Sequence, residues 1–305
     1  MLIAIAQIAP VFLYRDATII KICERITDAA QRGAALVCFG EAIIPGYPVW
    51  LDRADGARFD APDLKRMHAR YMQQAVVLER GDLDLVCDAA REGGIAVVLG
   101  LIERPADRGG HSLYCAAVTI LADGTIASVH RKLVPTYEER LAWSPGDGAG
   151  LVTHAIGPFT VGALNCWENW MPLARTALYA SGENLHVALW PGGDHNTRDL
   201  TRFLAREGRS YVVSASALLR ASDLPDDLPL RGPLARPGEV LLNGGSAIAG
   251  PDGAWIVEPV CGEERLITAA LELTRVHEER QNFDPTGHYS RPDVLRLTVD
   301  RARQR

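Results

Sequence analysis

The chain has 305 residues, 48% of them hydrophobic and 23% charged, with a formal net charge of -6. A chain this long and this apolar buries a large core within a single domain spanning 1–305, and its acidic balance supplies no overall field for nucleic acid or an anionic membrane. Six cysteines, at 23, 38, 87, 115, 166 and 261, form no CxxC pair, and no apolar stretch approaches the roughly 20 residues that span a bilayer. The expected protein is soluble and cytoplasmic, keeps its thiols reduced, and acts on a small uncharged or weakly charged molecule.

Leu2 to Ile8 branches and alternates as a strand, and Asp16 to Gln31 carries Ile19, Ile20, Cys23, Ile26 and Ala30 at helical spacing before Gly33. Leu36 to Phe39 is a short buried strand. A helix over about Val76 to Arg91 stops at Gly93 and Gly94, Ile95 to Leu99 forms the next strand, and Leu113 to Leu121 pairs with Ile126 to Val129 through Asp123 and Gly124. Further on come a strand at Val161 to Leu164, a helix from about Pro172 to Ala180, a strand at His186 to Trp190, a helix around Thr197 to Glu207, and strands at Tyr211 to Ser214, Ser246 to Ile248 and Trp255 to Val257. So many strands interleaved with helices point to an α/β four-layer αββα sandwich, two stacked mixed sheets with helices outside. Pro48 to Pro62 and Ala221 to Pro237, rich in Pro, Asp, Arg and Gly, are expected as long surface loops serving as lids, subunit contacts or plain insertions.

Three of the apolar runs end at residues with chemistry. Leu36 to Phe39 leads into Glu41, Ile126 to Val129 leads toward Lys132, and Val161 to Leu164 leads into Cys166 just ahead of a helix, where free backbone N–H groups face the sulfur. Taken singly, each has a bland explanation: a buried core thiol, or a charge solvated at a strand end. Together they form a nucleophile, a cation that favours thiolate and stabilises an anion, and a carboxylate that moves protons.

Their neighbours narrow the choice. Phe39-Gly40-Glu41-Ala42-Ile43-Ile44-Pro45-Gly46-Tyr47-Pro48, His130-Arg131-Lys132-Leu133-Val134-Pro135-Thr136 with Glu138 and Glu139 following, and Leu164-Asn165-Cys166-Trp167-Glu168-Asn169-Trp170 together resemble the nitrilase superfamily of carbon-nitrogen hydrolases, over Ile3 to about Val294. The resemblance implies the same αββα sandwich and a triad of Glu41, Lys132 and Cys166, with Glu139 as a second glutamate that holds Lys132 charged and helps position substrate. Cys166-Trp167-Glu168, the segment Gly287 to Pro292 and the proline-rich insertion after Arg220 resemble the nitrile-acting branch, which implies hydrolysis of an organic nitrile to a carboxylic acid and ammonia through a cysteine thioimidate and thioester. The backbone N–H of Trp167 then stands at the oxyanion, and Trp170 and His195 are candidates to touch substrate. Gly40 stands where many relatives have Pro, and the short tail after Pro292 implies a homodimer built through helices near Cys166, with higher assembly left open.

Three other readings stay open: an amidase of the same fold, a catalytically idle homologue acting as a binding partner, and an unrelated cysteine hydrolase using His154 or His186 as base. No cofactor and no metal are expected, because the eight histidines make no ligand array and His277, Glu278 and Glu279 lack the HExxH spacing.

Overall fold

The computed structural model describes residues 1–304, apart from the Arg108 side chain. Its first sheet takes β1 (Leu2–Gln7), β2 (Leu36–Cys38), β3 (Ala96–Glu103), β4 (Tyr114–Ile120) and β5 (Ile126–Arg131). Its second takes β6 (His154–Ile156), β7 (Phe159–Asn165), β8 (Leu185–Trp190), β9 (Tyr211–Ser216), β10 (Leu218–Arg220), β11 (Val240–Ala249) and β12 (Trp255–Cys261), and β13 (Arg265–Ala270) returns to the first sheet. The orders are β13-β1-β2-β3-β4-β5 and β10-β11-β9-β8-β7-β6, with β12 paired to β11. Each sheet has a parallel centre, β1-β2-β3 in one and β7-β8-β9 in the other, with antiparallel flanks.

The helices are α1 (Arg15–Gln31), α2 (Trp50–Arg53), α3 (Pro62–Gln74), α4 (Asp84–Gly93), α5 (Pro172–Tyr179), α6 (Asp194–Thr197), α7 (Leu200–Gly208), α8 (Arg231–Leu234) and α9 (Leu273–Glu279). Period-two alternation sorts the central strands between two apolar layers. Ala4, Val37, Val97 and Leu99 face Ile19, Ile22 and Ile26 of α1 and Val86 and Ala90 of α4. Ile3, Ile5, Leu36 and Val98 instead meet Val161, Val187, Leu189 and Val213 of the second sheet. On the far side, α7 covers Ala188, Trp190 and Val212, while α5 covers Leu164. Helix, sheet, sheet, helix is the order of layers. Strands buried on both faces read as unbroken apolar runs, which is why the sequence marks them so clearly.

Several boundaries differ from the sequence expectation. The helix expected over Val76 to Arg91 breaks at Gly81, whose φ of 80° is left-handed, so α4 starts only at Asp84. The one expected around Thr197 to Glu207 is two pieces, α6 and α7. Strand β13 is an edge strand with half-exposed ends, and α3 buries only Met67 and Tyr71, one turn apart; neither carries a strong apolar pattern. The two expected surface loops are pinned to the core. Val49, Trp50 and Leu51 from one, and Leu224, Leu228, Leu230 and Leu234 from the other, share a cluster with Met67 and Tyr71. Arg53 bonds Glu239 across them at 2.6 Å.

Candidate active site

Three strand ends from the two sheets meet at one edge of the sandwich. After β2 the chain turns so that the Glu41 N–H donates to the Trp190 carbonyl at the end of β8, 3.0 Å away, tying one sheet to the other. Gly40 makes that approach possible: a Cβ there would lie 2.8 Å from both Ala217 N and Trp190 O. Gly100 of β3 serves the same turn, since its Cβ would lie 2.3 Å from Gly40 O and 2.6 Å from the Glu41 Cα. Gly40 therefore answers a steric need, since any residue with a Cβ, proline included, would make that clash here, rather than merely loosening φ. Lys132 continues β5 by donating its N–H to Cys115 O at 2.8 Å, while Gly146 N–H closes on Lys132 O at 2.8 Å.

Cys166 begins a short turn, Cys166–Trp170, with φ of 47°; Ala42, next to Glu41, has φ of 51°, and Tyr137, in the turn that carries Glu139, has φ of 41°. A residue with a Cβ held in the left-handed region costs about 1–3 kcal/mol, and such residues concentrate where a site over-determines its backbone. All three contributing loops carry one.

The side chains then converge. Lys132 Nζ donates to Glu41 Oε1 at 2.9 Å and to Glu139 Oε2 at 2.7 Å, and the Cys166 sulfur lies within 4.8 Å of carboxylate oxygens of both glutamates. All four groups are buried. Glu139 is held from two more directions, by the Tyr47 hydroxyl donating to Oε1 at 3.0 Å and the Thr136 N–H donating to Oε2 at 2.6 Å. Among the described residues, Glu41, Glu139 and Cys166 are the one grouping with metal-ligand geometry, and the Lys132 ammonium already supplies the positive charge between its carboxylates.

Ionisation follows from this crowding. Burial raises the Glu41 carboxyl to about 7, Lys132 working against that rise and Glu139 adding to it. Burial disfavours the Lys132 ammonium, but Glu41, the Cys166 sulfur and Glu139 outweigh it and hold the amine charged well above its ordinary range. The Cys166 thiol is pushed well up by burial and by Glu41, against Lys132 and the Trp167 N–H that faces it. Lys132 favours the thiolate, as expected, but burial and Glu41 outweigh it, so the resting sulfur is a thiol.

Glu168 braces the arrangement. Buried two residues beyond the cysteine, it accepts from the Leu133 N–H at 2.9 Å, from the Asn165 N–H at 3.0 Å and from His130 Nε2 at 2.9 Å. Burial opposes its charge, yet His130 and the two N–H groups hold its carboxyl below the ordinary value. Asn169 makes a second brace, donating to the Cys166 carbonyl at 2.9 Å while His186 Nε2 meets its side-chain oxygen at 2.7 Å and His186 Nδ1 meets Glu183 at 2.8 Å. His186 thus spends both ring nitrogens on neighbours other than the sulfur, and His154 pairs with Ser128 at 2.7 Å.

The remaining expected residues lie further out. Trp167 and Trp170 are each 54% exposed. His195 sits within α6, not in a loop, is exposed, and follows the β8 end that abuts the Glu41 turn. Neither Trp170 nor His195 hydrogen-bonds to the buried cluster. Sequence reading missed Tyr47, Cys115, Thr136, His130 and the bracing part of Glu168. Thr136 was within reach, because Thr136-x-x-Glu139 is a capping-box pattern and the Thr136 N–H does donate to the Glu139 side chain. Tyr47, Cys115 and His130 reach the site only through tertiary packing.

Comparison with known proteins gives the family. The carbon-nitrogen hydrolase family pattern matches residues 2–281, and the chain belongs to that family. It is similar to an aliphatic nitrilase from Sinorhizobium fredii strain HH103, 37% identical over 97% of this chain and 94% of that one. It is also similar to nitrilase 2 of Arabidopsis thaliana, 35% identical over 97% of this chain and 87% of that one. Among solved structures, a carbon-nitrogen hydrolase from Helicobacter pylori G27 shares the fold with a TM-score of 0.72 at 18% identity, covering 98% of this chain and 99% of that one. An amidase from Nesterenkonia sp. does so with a TM-score of 0.67 at 20% identity, covering 92% and 94%.

Proposed function

We propose that this chain is a nitrilase, converting an organic nitrile to a carboxylic acid and ammonia with Cys166 as nucleophile, Glu41 as general base and acid, and Lys132, held by Glu139, as the electrostatic anchor. The observation that carries the reading is the single buried cluster in which thiol, ammonium and two carboxylates touch. Nearly full-length likeness to proteins named as nitrilases supports the choice of substrate class.

The chemistry starts from a neutral thiol. As sulfur bonds to the nitrile carbon, Glu41 takes the thiol proton and passes it to the nitrogen, so one C–N π bond becomes an N–H, a thioimidate forms and Glu41 is again a carboxylate. Water then adds to that carbon with Glu41 as base, and the Lys132 ammonium and Trp167 N–H stabilise the charge of the tetrahedral intermediate. Protonated nitrogen leaves as ammonia, a thioester remains, and a second water releases the acid and restores the thiol. If the thiol departs before nitrogen, the product is the amide. Loss of an oxyanion donor of this kind costs about 100- to 1000-fold in rate.

The half-exposed Trp167 and the exposed His195 are assigned to the mouth of the site, where the rest of the nitrile extends. Trp170, Leu173 of α5 and Phe203 of α7 are each exposed, and the Arg175 guanidinium of α5 lies over the Phe203 ring, which supports self-association through these helices. No helix among the described residues is long and apolar enough to cross a membrane, in keeping with a cytoplasmic enzyme.

The test is a panel of aliphatic, aryl and arylaceto nitriles beside their amides, following ammonia and separating acid from amide. Nitriles should turn over, and Cys166→Ala, Lys132→Ala and Glu41→Gln should each abolish turnover. Release of ammonia from amides alone would move the assignment to an amidase, and release from neither nitriles nor amides would make the protein an idle homologue.

A further inference from the structure

The two oxygens of Glu41 have different surroundings. Oε1 accepts from Lys132 Nζ at 2.9 Å and also from the Cys115 thiol at 3.4 Å. Oε2 is buried and, among the described residues, has no hydrogen-bond partner. Leaving a buried acceptor unpaired is costly, so such an atom points to a partner supplied during function.

Cys115 reaches this position from β4, where it pairs with Ile102 of β3 and its carbonyl receives the Lys132 N–H. It is buried, and no step proposed above uses it. Its sulfur does not compete as a nucleophile, because burial and the neighbouring Glu41 keep it protonated, the state in which a thiol donates.

We infer that Cys115 is a positioning residue for the base: its S–H, with Lys132, pins Glu41 Oε1 and so leaves Oε2 as the oxygen that exchanges protons with Cys166 and with water. This rests on the assignment of Glu41 and Cys166 made above. Without the thiol, the carboxylate keeps only the ammonium on Oε1 and is free to rotate about its last torsion, where the energy wells are broad. The ionisable groups that bear on Glu41 are Lys132 after β5 and Glu139 beyond it, Tyr47 after β2, Tyr71 of α3, Cys166 after β7 and Cys115 itself. Of these only Cys115 is an uncharged donor to Glu41, so exchanging it leaves the net charge of the cluster unchanged.

The test compares Cys115→Ala and Cys115→Ser with the unaltered protein. The readouts are ammonia release from the best nitrile of the panel and the rate of Cys166 alkylation by iodoacetamide, both as functions of pH, with thermal denaturation to confirm folding. Losing a hydrogen bond to the charged form should move the acid limb of both profiles up by about one unit, which cuts the ionised fraction at pH 7 about fivefold. KM should change little, and serine, which keeps a donor, should return the limb toward its original position. Two outcomes overturn the inference: an acid limb that stays put in the alanine variant, or equal impairment of the alanine and serine variants without a shift, which marks a packing role only. Should Cys166→Ala still release ammonia from nitriles, the parent assignment fails instead, whatever the Cys115 variants do.

Discussion

Glu168 Oε2 lies 2.9 Å from His130 Nε2, and both side chains are buried between the strand end that carries Lys132 and the one that carries Cys166. The carboxylate also takes N–H groups from Leu133, one residue past the lysine, and Asn165, one residue before the cysteine. One side chain therefore sets the spacing between ammonium and sulfur, which belong to different sheets. A misplacement of about 1 Å in such a constellation costs on the order of 100-fold in rate.

Glu168→Gln should expose that dependence. Removing the charge of a buried carboxylate leaves a donor unpaired at a cost of about 1–3 kcal/mol, because an amide NH2 cannot accept from the N–H it would face. The variant should melt earlier and lose kcat by at least about tenfold, with KM moving less. Denaturation curves and steady-state kinetics on one nitrile check both parts. An unchanged kcat in a destabilised variant would reduce Glu168 to a structural brace.

The raised Glu41 carboxyl predicts a pH profile. A base must be ionised to accept the thiol proton, so kcat/KM should fall on the acid side with an apparent pKa of about 7. Glu139→Gln removes a like charge that helps raise Glu41, so the acid limb should shift to lower pH even as the rate drops. Stability moves the other way. The folded pKa lies above the ordinary 4.5, so this group's contribution is fully present below 4.5 and is lost as pH rises through about 7. Between those values, activity rises while the Glu41 contribution to stability declines. Kinetics paired with urea denaturation across that window measure both, and an acid limb near 4.5 would show that Glu41 is not the base.

Gly100→Ala tests the close approach behind Glu41. The new methyl carbon would sit 2.3 Å from Gly40 O and 2.6 Å from the Glu41 Cα, backbone atoms that cannot swing aside. Overpacking of this kind costs about 1–3 kcal/mol, and the relief available is a shift of the Glu41 turn. Expected is a lower melting temperature with a kcat loss larger than the change in KM. Full activity at normal stability would mean that the turn has room the distances deny.

Some of this was legible in the letters alone. Double-sided burial writes a parallel strand as a solid apolar run, so β2, β3, β7 and β8 stood out, and with them the places where Glu41 and Cys166 follow. Lys132 came from the same logic, and Glu139 from a resemblance of the stretch around it. Elements with one buried stripe or an exposed edge, such as α3 and β13, left too weak a pattern. The leucines of 224–234 were hidden among prolines and charges, because turns and a four-residue helix have no period to display.

What the sequence by itself determined is which groups exist and that each follows a strand: a thiol, an ammonium and carboxylates with the chemistry to attack a carbon bound to nitrogen. Only the tertiary structure decided their charge and bearing. Burial with two carboxylates around one ammonium makes Cys166 a resting thiol and lifts Glu41, and which Glu41 oxygen is free depends on Cys115 and Lys132, brought together by β4–β5 pairing. Ionisation and hydrogen-bond direction depend on neighbours in space, and a residue's neighbours in sequence carry no record of them.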